Sequence, residues 1–209
     1  MLFVKTPVLI MKLFPELIWH FATRGNRQEN HIYLTFDDGP TPEVTPWVLD
    51  NLRDYDAKGT FFCLGRNVDR YPHLYDQILK DGHAVGNHTY SHLKGSHTSN
   101  KEYLNDIELA RNDIDSSLFR PPYGRFRKSQ IREIRKDYRI VMWDVLSQDY
   151  DSRVNPDKCY ANIEQNIRPG SIVVFHDSVK ARGNLYHALP LMLEKFSDHY
   201  RFLPIPESA

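Results

Sequence analysis

Strand-like and helix-like segments alternate along almost the whole of this 209-residue chain, and no other feature limits its fold as much. Apolar runs suited to strands lie near 31–36, 59–64, 83–86, 118–120, 139–143, 171–175 and 201–205. Helical patterns lie near 43–55, 68–81, 101–116, 128–137, 156–167 and 186–198. This order argues for an α/β domain in which crossover helices join parallel strands. Arg168-Pro169-Gly170 reads as a turn before the sixth strand, and residues 94–100 as a rim loop ending in a helix cap. The length suits one domain with a sizeable core. The sequence contains no internal repeat, low-complexity tract or second domain. If the sheet curls into a barrel, residues just after the strands gather on one rim, and the chain's unusual residues fall at those positions.

The first such group is Thr35-Phe36-Asp37-Asp38-Gly39-Pro40. Neighbouring side chains on a strand point to opposite faces, but where the strand ends and turns, both carboxylates can reach one cavity. There they repel unless a cation sits between them or one takes a proton. Plausible ligands lie in His88-Thr89-Tyr90-Ser91-His92, whose histidines are four apart, so one helical turn would place them on the same side. Asp38, His88 and His92 would form a two-histidine, one-carboxylate set with a position left open, the pattern of a catalytic zinc site. A third group is Phe119-Arg120-Pro121-Pro122-Tyr123-Gly124, where two prolines impose an extended path and leave the Tyr123 amide to point at a ligand. The blander reading of that loop is a surface turn with a solvated arginine. The fourth, Met142 to Tyr150, is an apolar strand opening into a polar loop that carries Trp143 and Tyr150. The fifth, Ile172-Val173-Val174-Phe175-His176-Asp177, is a buried strand with an ionisable pair at its tip.

Taken together, these five motifs resemble the polysaccharide deacetylases, carbohydrate esterase family 4, over about residues 31–205. The resemblance implies a distorted, TIM-like (β/α)7 barrel in a single domain, and the seven strand-like segments agree with that count. Residues 31–209 are accordingly expected to form the deacetylase domain, and residues 1–30, read on their own apolar pattern, a helical extension packed on the barrel. By the same resemblance Asp37 is the catalytic base, and Asp38, His88 and His92 bind the metal. Arg120 contacts the base, the Tyr123 amide helps form the oxyanion hole, His176 is the general acid and Val174 lines the acetyl pocket. Trp143 and Tyr150 complete the expected substrate contacts. The implied reaction is metal-dependent removal of N-acetyl groups from N-acetylglucosamine-containing poly- or oligosaccharides. Zinc is the first choice of metal, with cobalt or nickel also suited to imidazole and carboxylate ligands. Two rivals stand beside it. One is hydrolysis of another C–N bond, in an N-formyl sugar, a cyclic amide or a ureide. The other is a non-catalytic carbohydrate-binding relative.

The fourth motif departs from the family pattern. Many members carry an aspartate there that pairs with the catalytic histidine, and aligning Tyr150 with the family's tryptophan puts Leu146 at that position. Either Asp144 or Asp149 takes over, or His176 has a lower pKa than its relatives.

The formal net charge is zero, which gives no strong electrostatic case for nucleic acid or an anionic membrane as partner. Cys63 and Cys159 are far apart in sequence, and no disulfide is expected between them. Residues 1–21 are apolar but broken by Lys5, Pro7, Lys12, Pro15 and Glu16, too broken for a transmembrane helix or a signal peptide. They read as a short helix on the barrel, begun by Thr6-Pro7 as cap and first-turn proline. The second reading of this stretch is peripheral membrane contact, with Trp19 and the lysines as anchors. A cytoplasmic or peripheral membrane location and a monomer are the corresponding expectations.

Overall fold

The computed structural model describes residues 3–21 and 30–207. In chain order its elements are α1 (Val8–Leu13), β1 (His31–Asp37), α2 (Thr45–Asp54), β2 (Gly59–Cys63), α3 (Gly65–Arg70), α4 (Pro72–Lys80), β3 (Ala84–Asn87), α5 (Asn100–Arg111), β4 (Leu118–Phe119), α6 (Lys128–Ile134), β5 (Arg139–Ile140), β6 (Val145–Leu146), α7 (Pro156–Glu164), β7 (Ile172–His176), α8 (Arg182–Phe196) and β8 (Arg201–Phe202). The sheet runs β5-β4-β3-β2-β1-β7-β6 with every pair parallel, and β8 joins β1 at His31 and Ile32. This is a curled (β/α)7 sheet in a single domain.

Strand parity divides the core. On β1, Ile32, Leu34 and Phe36 pack with Val48, Leu52 and Leu189 under the outer helices. On β7, Val173 and Phe175 join that layer, while Ile172 and Val174 face the inner one with Phe62, Leu118 and Trp143. The period of two is the side-chain alternation of a strand. Because both faces are covered, both sets are apolar.

Two elements differ from the sequence-based expectation. The strand expected over 139–143 is shortened to β5, and a further strand, β6, follows at Val145–Leu146, with the N-terminal segment bonded at this point. Ile18 N donates to Ile140 O (2.9 Å) and Met142 N to Ile18 O (2.7 Å), while Thr6 N donates to Asp144 O (2.9 Å) and Leu146 N to Val4 O (2.8 Å). Residues 4–6 and 18–20 thus bridge β5 and β6, the two ends of the sheet path. The seventh expected strand, 201–205, is reduced to two residues beside β1. The helix expected over 68–81 breaks at Tyr71-Pro72, since Pro72 has no N–H and disfavours a helical residue before it.

The N-terminal segment also departs from its expectation. Pro7, not Thr6, is the residue before α1, and the Thr6 hydroxyl donates to Trp143 O (2.8 Å) instead of capping the helix. None of the six residues of α1 is buried. Ile10 and Met11 are half-buried and pack α1 on the inner layer, as expected of a helix on the barrel, and the flanking stretches add Leu17 and Trp19, which are buried there. Trp19 is therefore not a surface anchor, and its Nε1 donates to Phe14 O (3.0 Å). Lys5 is likewise engaged, paired with buried Asp144 at 2.7 Å. Residues 22–29 of the expected extension lie outside the described residues. No helix among the described residues is long and apolar enough to cross a membrane. Cys63 and Cys159 are both buried and unpaired.

Candidate active site and metal centre

The parallel register of β1 and β7 sets Thr35 beside Val174 and Asp37 beside His176. Parity places all four on the inner face, so a carboxylate and an imidazole emerge together at the C-terminal rim. Arg120 follows β4 and is fully buried, not solvated as in the blander reading of its loop. Its Nη1 donates to Asp37 Oδ1 and to Thr35 Oγ1, both at 2.7 Å. Nε and Nη2 donate to Val141 O (3.2 Å) and Met142 O (3.0 Å), and the Phe62 ring centroid lies 4.1 Å from the guanidinium. Burial lowers the Arg120 pKa, and the Asp37 charge opposes that shift. Four hydrogen bonds and a ring leave the guanidinium, and so Asp37, one orientation.

Asp38 adopts φ +79°, a left-handed conformation that a non-glycine residue takes only when its surroundings impose it. Asn67 Nδ2 donates to Asp38 O (2.8 Å) and Leu64 N to Gly39 O (3.0 Å), which fixes the turn. A Cβ at Gly39 would stand 2.0 Å from Asp177 Oδ2, so only glycine passes there.

His88 and His92 do not share a helical turn. Residues 88–94 form a loop with Thr89 at φ +66° and His92 at φ +62°. Asn87 Oδ1 accepts from Thr89 N (2.8 Å), Thr89 Oγ1 from His92 N (3.0 Å), and Asp106 Oδ2 on α5 from Tyr90 N (3.0 Å) and Ser91 N (2.9 Å). These side-chain acceptors satisfy backbone donors that a helix start would leave open, and they win over the helix. The loop still brings the rings together, with centroids 5.2 Å apart.

Asp38 Oδ1 lies 3.1 Å from His92 Nε2 and 3.7 Å from His88 Nε2, and one ligand atom from each of the three residues falls within 4.8 Å of the others. His88 Nδ1 is 2.7 Å from Arg120 O, a contact in which the nitrogen must be the donor. Burial pulls the His88 pKa down to about 4, so its ring is neutral and Nε2 offers a lone pair towards the carboxylate. Burial alone would raise the Asp38 pKa, but its contact with His92 and the facing His176 hold its carboxyl well below the usual range. Asp38 Oδ1 is buried, and apart from the two imidazole nitrogens that converge on it no donor is aligned with it. A lone pair turned on a carboxylate oxygen that lacks a donor is repulsive unless a cation lies between them. The donor set therefore fits a divalent metal ion, with the Arg120 carbonyl orienting His88 from behind.

His176 resolves the open question of the fourth motif. Its Nδ1 meets Asp149 Oδ1 at 2.8 Å, and its backbone N donates to Asp149 Oδ2 at 2.7 Å. Burial works to lower the His176 pKa, but the charge and hydrogen bond of Asp149 outweigh it and raise the value to about 9. The reading of a lowered His176 pKa is thus overturned. Asp144 has a different task. Fully buried, it takes Lys5, the Ser171 hydroxyl (3.0 Å) and the Ile172 amide (2.9 Å), and ties the N-terminal segment to β7. Leu146 stands with Trp143 and Val174 on the apolar wall of a cavity of about 330 Å³ that also takes in Asp37, Asp38 and His176. Tyr123 and Tyr150 flank it. The Tyr123 ring lies 4.5 Å from that of His92, and the Tyr150 ring 4.9 Å from that of His176. Tyr123 has φ +60°, and the hydrogen bonds of its turn, Gly124 N to Pro121 O and Arg125 N to Pro122 O, do not draw on its amide.

Six described non-glycine residues have positive φ, and five of them (Asp38, Thr89, His92, Tyr123 and Gln148) belong to the loops that build this rim. Such strain gathers where the surroundings over-determine a site. Sequence reasoning passed over Asn87 and Asp106, which shape the His88–His92 loop, and Lys180, which lines the cavity edge. A strand-end Asn before the first histidine was the available signal for Asn87. Asp106 gave none, being one of several acids on a helix. Asp177 was noted only as a neighbour of His176. Its buried carboxyl accepts from Thr45 Oγ1 (2.6 Å), and burial raises its pKa to about 7.

A sequence profile described as polysaccharide deacetylase matches residues 24–143, more than half of the chain. A peptidoglycan-N-acetylglucosamine deacetylase of Bacillus cereus is 37% identical over 188 residues, covering 86% of this chain and 88% of that protein. A chitooligosaccharide deacetylase of Azorhizobium caulinodans is 36% identical over 165 residues, covering 75% of this chain and 78% of its own. Among solved structures, the Bc1960 peptidoglycan N-acetylglucosamine deacetylase superposes with a TM-score of 0.80 at 31% identity, covering 94% of each chain.

Proposed function

The chain belongs to the polysaccharide deacetylase family, and on that premise we propose that it hydrolyses the N-acetyl group of N-acetylglucosamine units in a poly- or oligosaccharide, yielding the free amine and acetate. The observation that carries the reading is the pairing of Asp37 with His176 across β1 and β7, beside the Asp38, His88 and His92 cluster.

In this reading Asp38, His88 and His92 hold one divalent ion, zinc before cobalt or nickel. When bound, such an ion lowers the pKa of water and polarises a carbonyl. Asp37 takes the proton of the attacking water, its free side turned to the cavity while Oδ1 is held by Arg120. The Tyr123 amide faces the oxygen on which charge develops, where one donor is typically worth about 3–4 kcal/mol. His176, kept protonated by Asp149, gives its proton to the leaving nitrogen as the C–N bond breaks. Trp143, Leu146 and Val174 offer the acetyl methyl group an apolar wall. The same reading has a monomer that meets a bilayer peripherally, through its N-terminal segment.

The test is acetate release from an N-acetylated chitooligosaccharide, before and after stripping with a chelator and again after adding zinc. Release that stops on stripping and returns with zinc supports the reading. An inactive, metal-loaded protein would instead support the non-catalytic rival, and activity on N-formyl sugars, cyclic amides or ureides alone the other. His88→Ala and His92→Ala should each lose most of one bound equivalent of metal, measured by elemental analysis.

A further inference from the structure

Four large apolar side chains of the N-terminal segment stand in solvent: Phe3 at 59% exposure, Val8 at 58%, Leu9 at 68% and Leu13 at 64%. They are half of the exposed large hydrophobic residues among those described, and they fall within eleven positions of one another. Isolated apolar residues on a surface need no explanation, but a cluster does.

Three observations say what covers it. First, the segment is held firmly, by Lys5 on Asp144, by the bridges to β5 and β6, and by Leu17 and Trp19 in the core, and α1 lies on it with Ile10 and Met11 inward and Val8, Leu9 and Leu13 outward. Second, Leu13 and Phe14 share a groove with Lys128, Arg132, Arg135 and Lys136 of α6 and its following turn, four cations against the single acid Glu16, with Lys136 also paired to Glu133. Residues 125–137 hold six basic against two acidic residues, a net of +4 in a chain whose formal charge is zero. Third, a cavity of about 310 Å³ lined by Phe3, Ile10, Phe14 and Phe126 runs between the segment and the catalytic rim and shares Gly124 and Trp143 with the active-site cavity. Apolar side chains flanked by cations are the surface that an interfacial segment offers to anionic lipid.

We propose that this face docks on an anionic phospholipid bilayer, with Phe3, Val8, Leu9 and Leu13 entering the headgroup boundary and the cations of 125–136 meeting the headgroups. The docked protein holds its active-site mouth beside the bilayer, where saccharides displayed on or near lipid would reach it. This deepens the peripheral contact proposed above, replaces Trp19 and Lys5 as its anchors, and does not depend on the catalytic assignment.

Co-sedimentation with vesicles tests it. Wild-type protein should bind vesicles of phosphatidylcholine mixed with phosphatidylglycerol, bind pure phosphatidylcholine vesicles less, and lose most of that difference at high salt. Lys128→Glu with Arg132→Glu should weaken binding to the mixed vesicles by roughly 25-fold or more, at about fivefold per cation removed. Leu9→Glu with Leu13→Glu should weaken it by roughly tenfold or more. All four positions are exposed, so circular dichroism melts should match wild type. Acetate release from a soluble chitooligosaccharide should be unchanged in both variants, which separates a failure of docking from a failure of the deacetylase reading. Absence of wild-type binding to anionic vesicles at low salt would overturn the proposal, as would variants that bind like wild type. A dimer in ultracentrifugation that Leu9→Glu with Leu13→Glu dissolves, without any vesicle binding, would assign the face to a second copy instead.

Discussion

Asp149 shows how one carboxylate sets the working range of a site. It touches both the ring and the backbone of His176, and it keeps the imidazole protonated against the penalty of burial. A general acid must hold its proton, so activity falls as pH rises through its pKa. The alkaline limb of kcat/KM should lie near pH 9 in the wild type. Asp149→Asn removes the raising charge and leaves the lowering effect of burial, so the limb should move to lower pH; a pH–rate profile in which it stays fixed would take His176 out of the acid role. Leu146 gives the converse case. It is buried in the apolar wall and His176 Nδ1 already has a partner, so a carboxylate at 146 should destabilise the fold more than it moves the limb. Asp149 could be picked out in the sequence only as one of two neighbours of Leu146, because which acid faces β7 depends on how the loop after β6 bends back.

At the scale of elements, the Asp38, His88 and His92 cluster depends on a loop that α5 holds from outside. Asp106 accepts the amides of Tyr90 and Ser91 and so supports the left-handed turns at Thr89 and His92. Asp106→Ala should leave the helix and the melt nearly intact and weaken zinc affinity by about 10–100-fold, as loss of an outer support does at other sites. A competitive titration against a chromophoric chelator measures it, and unchanged affinity would mean that the ligands are placed without α5. The positions of Asp37 and His176 at the strand tips were legible in the sequence because motif and strand end coincide there. The shape of the His88–His92 loop was not. A spacing of four suits a helix, and the acceptors that defeat it come from Asn87 and from Asp106, one adjacent in sequence and one 16 residues beyond Tyr90.

In the whole molecule, the parallel sheet ends at β5 and β6, and the chain's own beginning spans the gap between them. Alternating patterns revealed the sheet, but a segment that bridges by a few backbone bonds has no period to read. Lys5 on Asp144 is the polar part of that closure. Lys5→Met would leave a buried carboxylate with two neutral donors and the more distant Arg168, and should cost about 1–3 kcal/mol in urea unfolding. A cost near zero would mean that the bridges and the burial of Leu17 and Trp19 suffice. The docking face described above grows from this architecture, since α1 is fastened on both sides and packs Ile10 and Met11 inward, which leaves Leu9 and Leu13 outward.

All three scales meet in the claim that Asp37 is the base of a metal-assisted deacetylase. The direct measurement is the rate of acetate release from an N-acetylated chitooligosaccharide by zinc-loaded wild type and zinc-loaded Asp37→Asn, with bound zinc assayed in the same samples. Asp37→Asn keeps the shape and removes the basicity, so the rate should fall by about 10²- to 10⁴-fold with zinc content unchanged. A variant that carries its zinc and releases acetate at the wild-type rate would contradict the account.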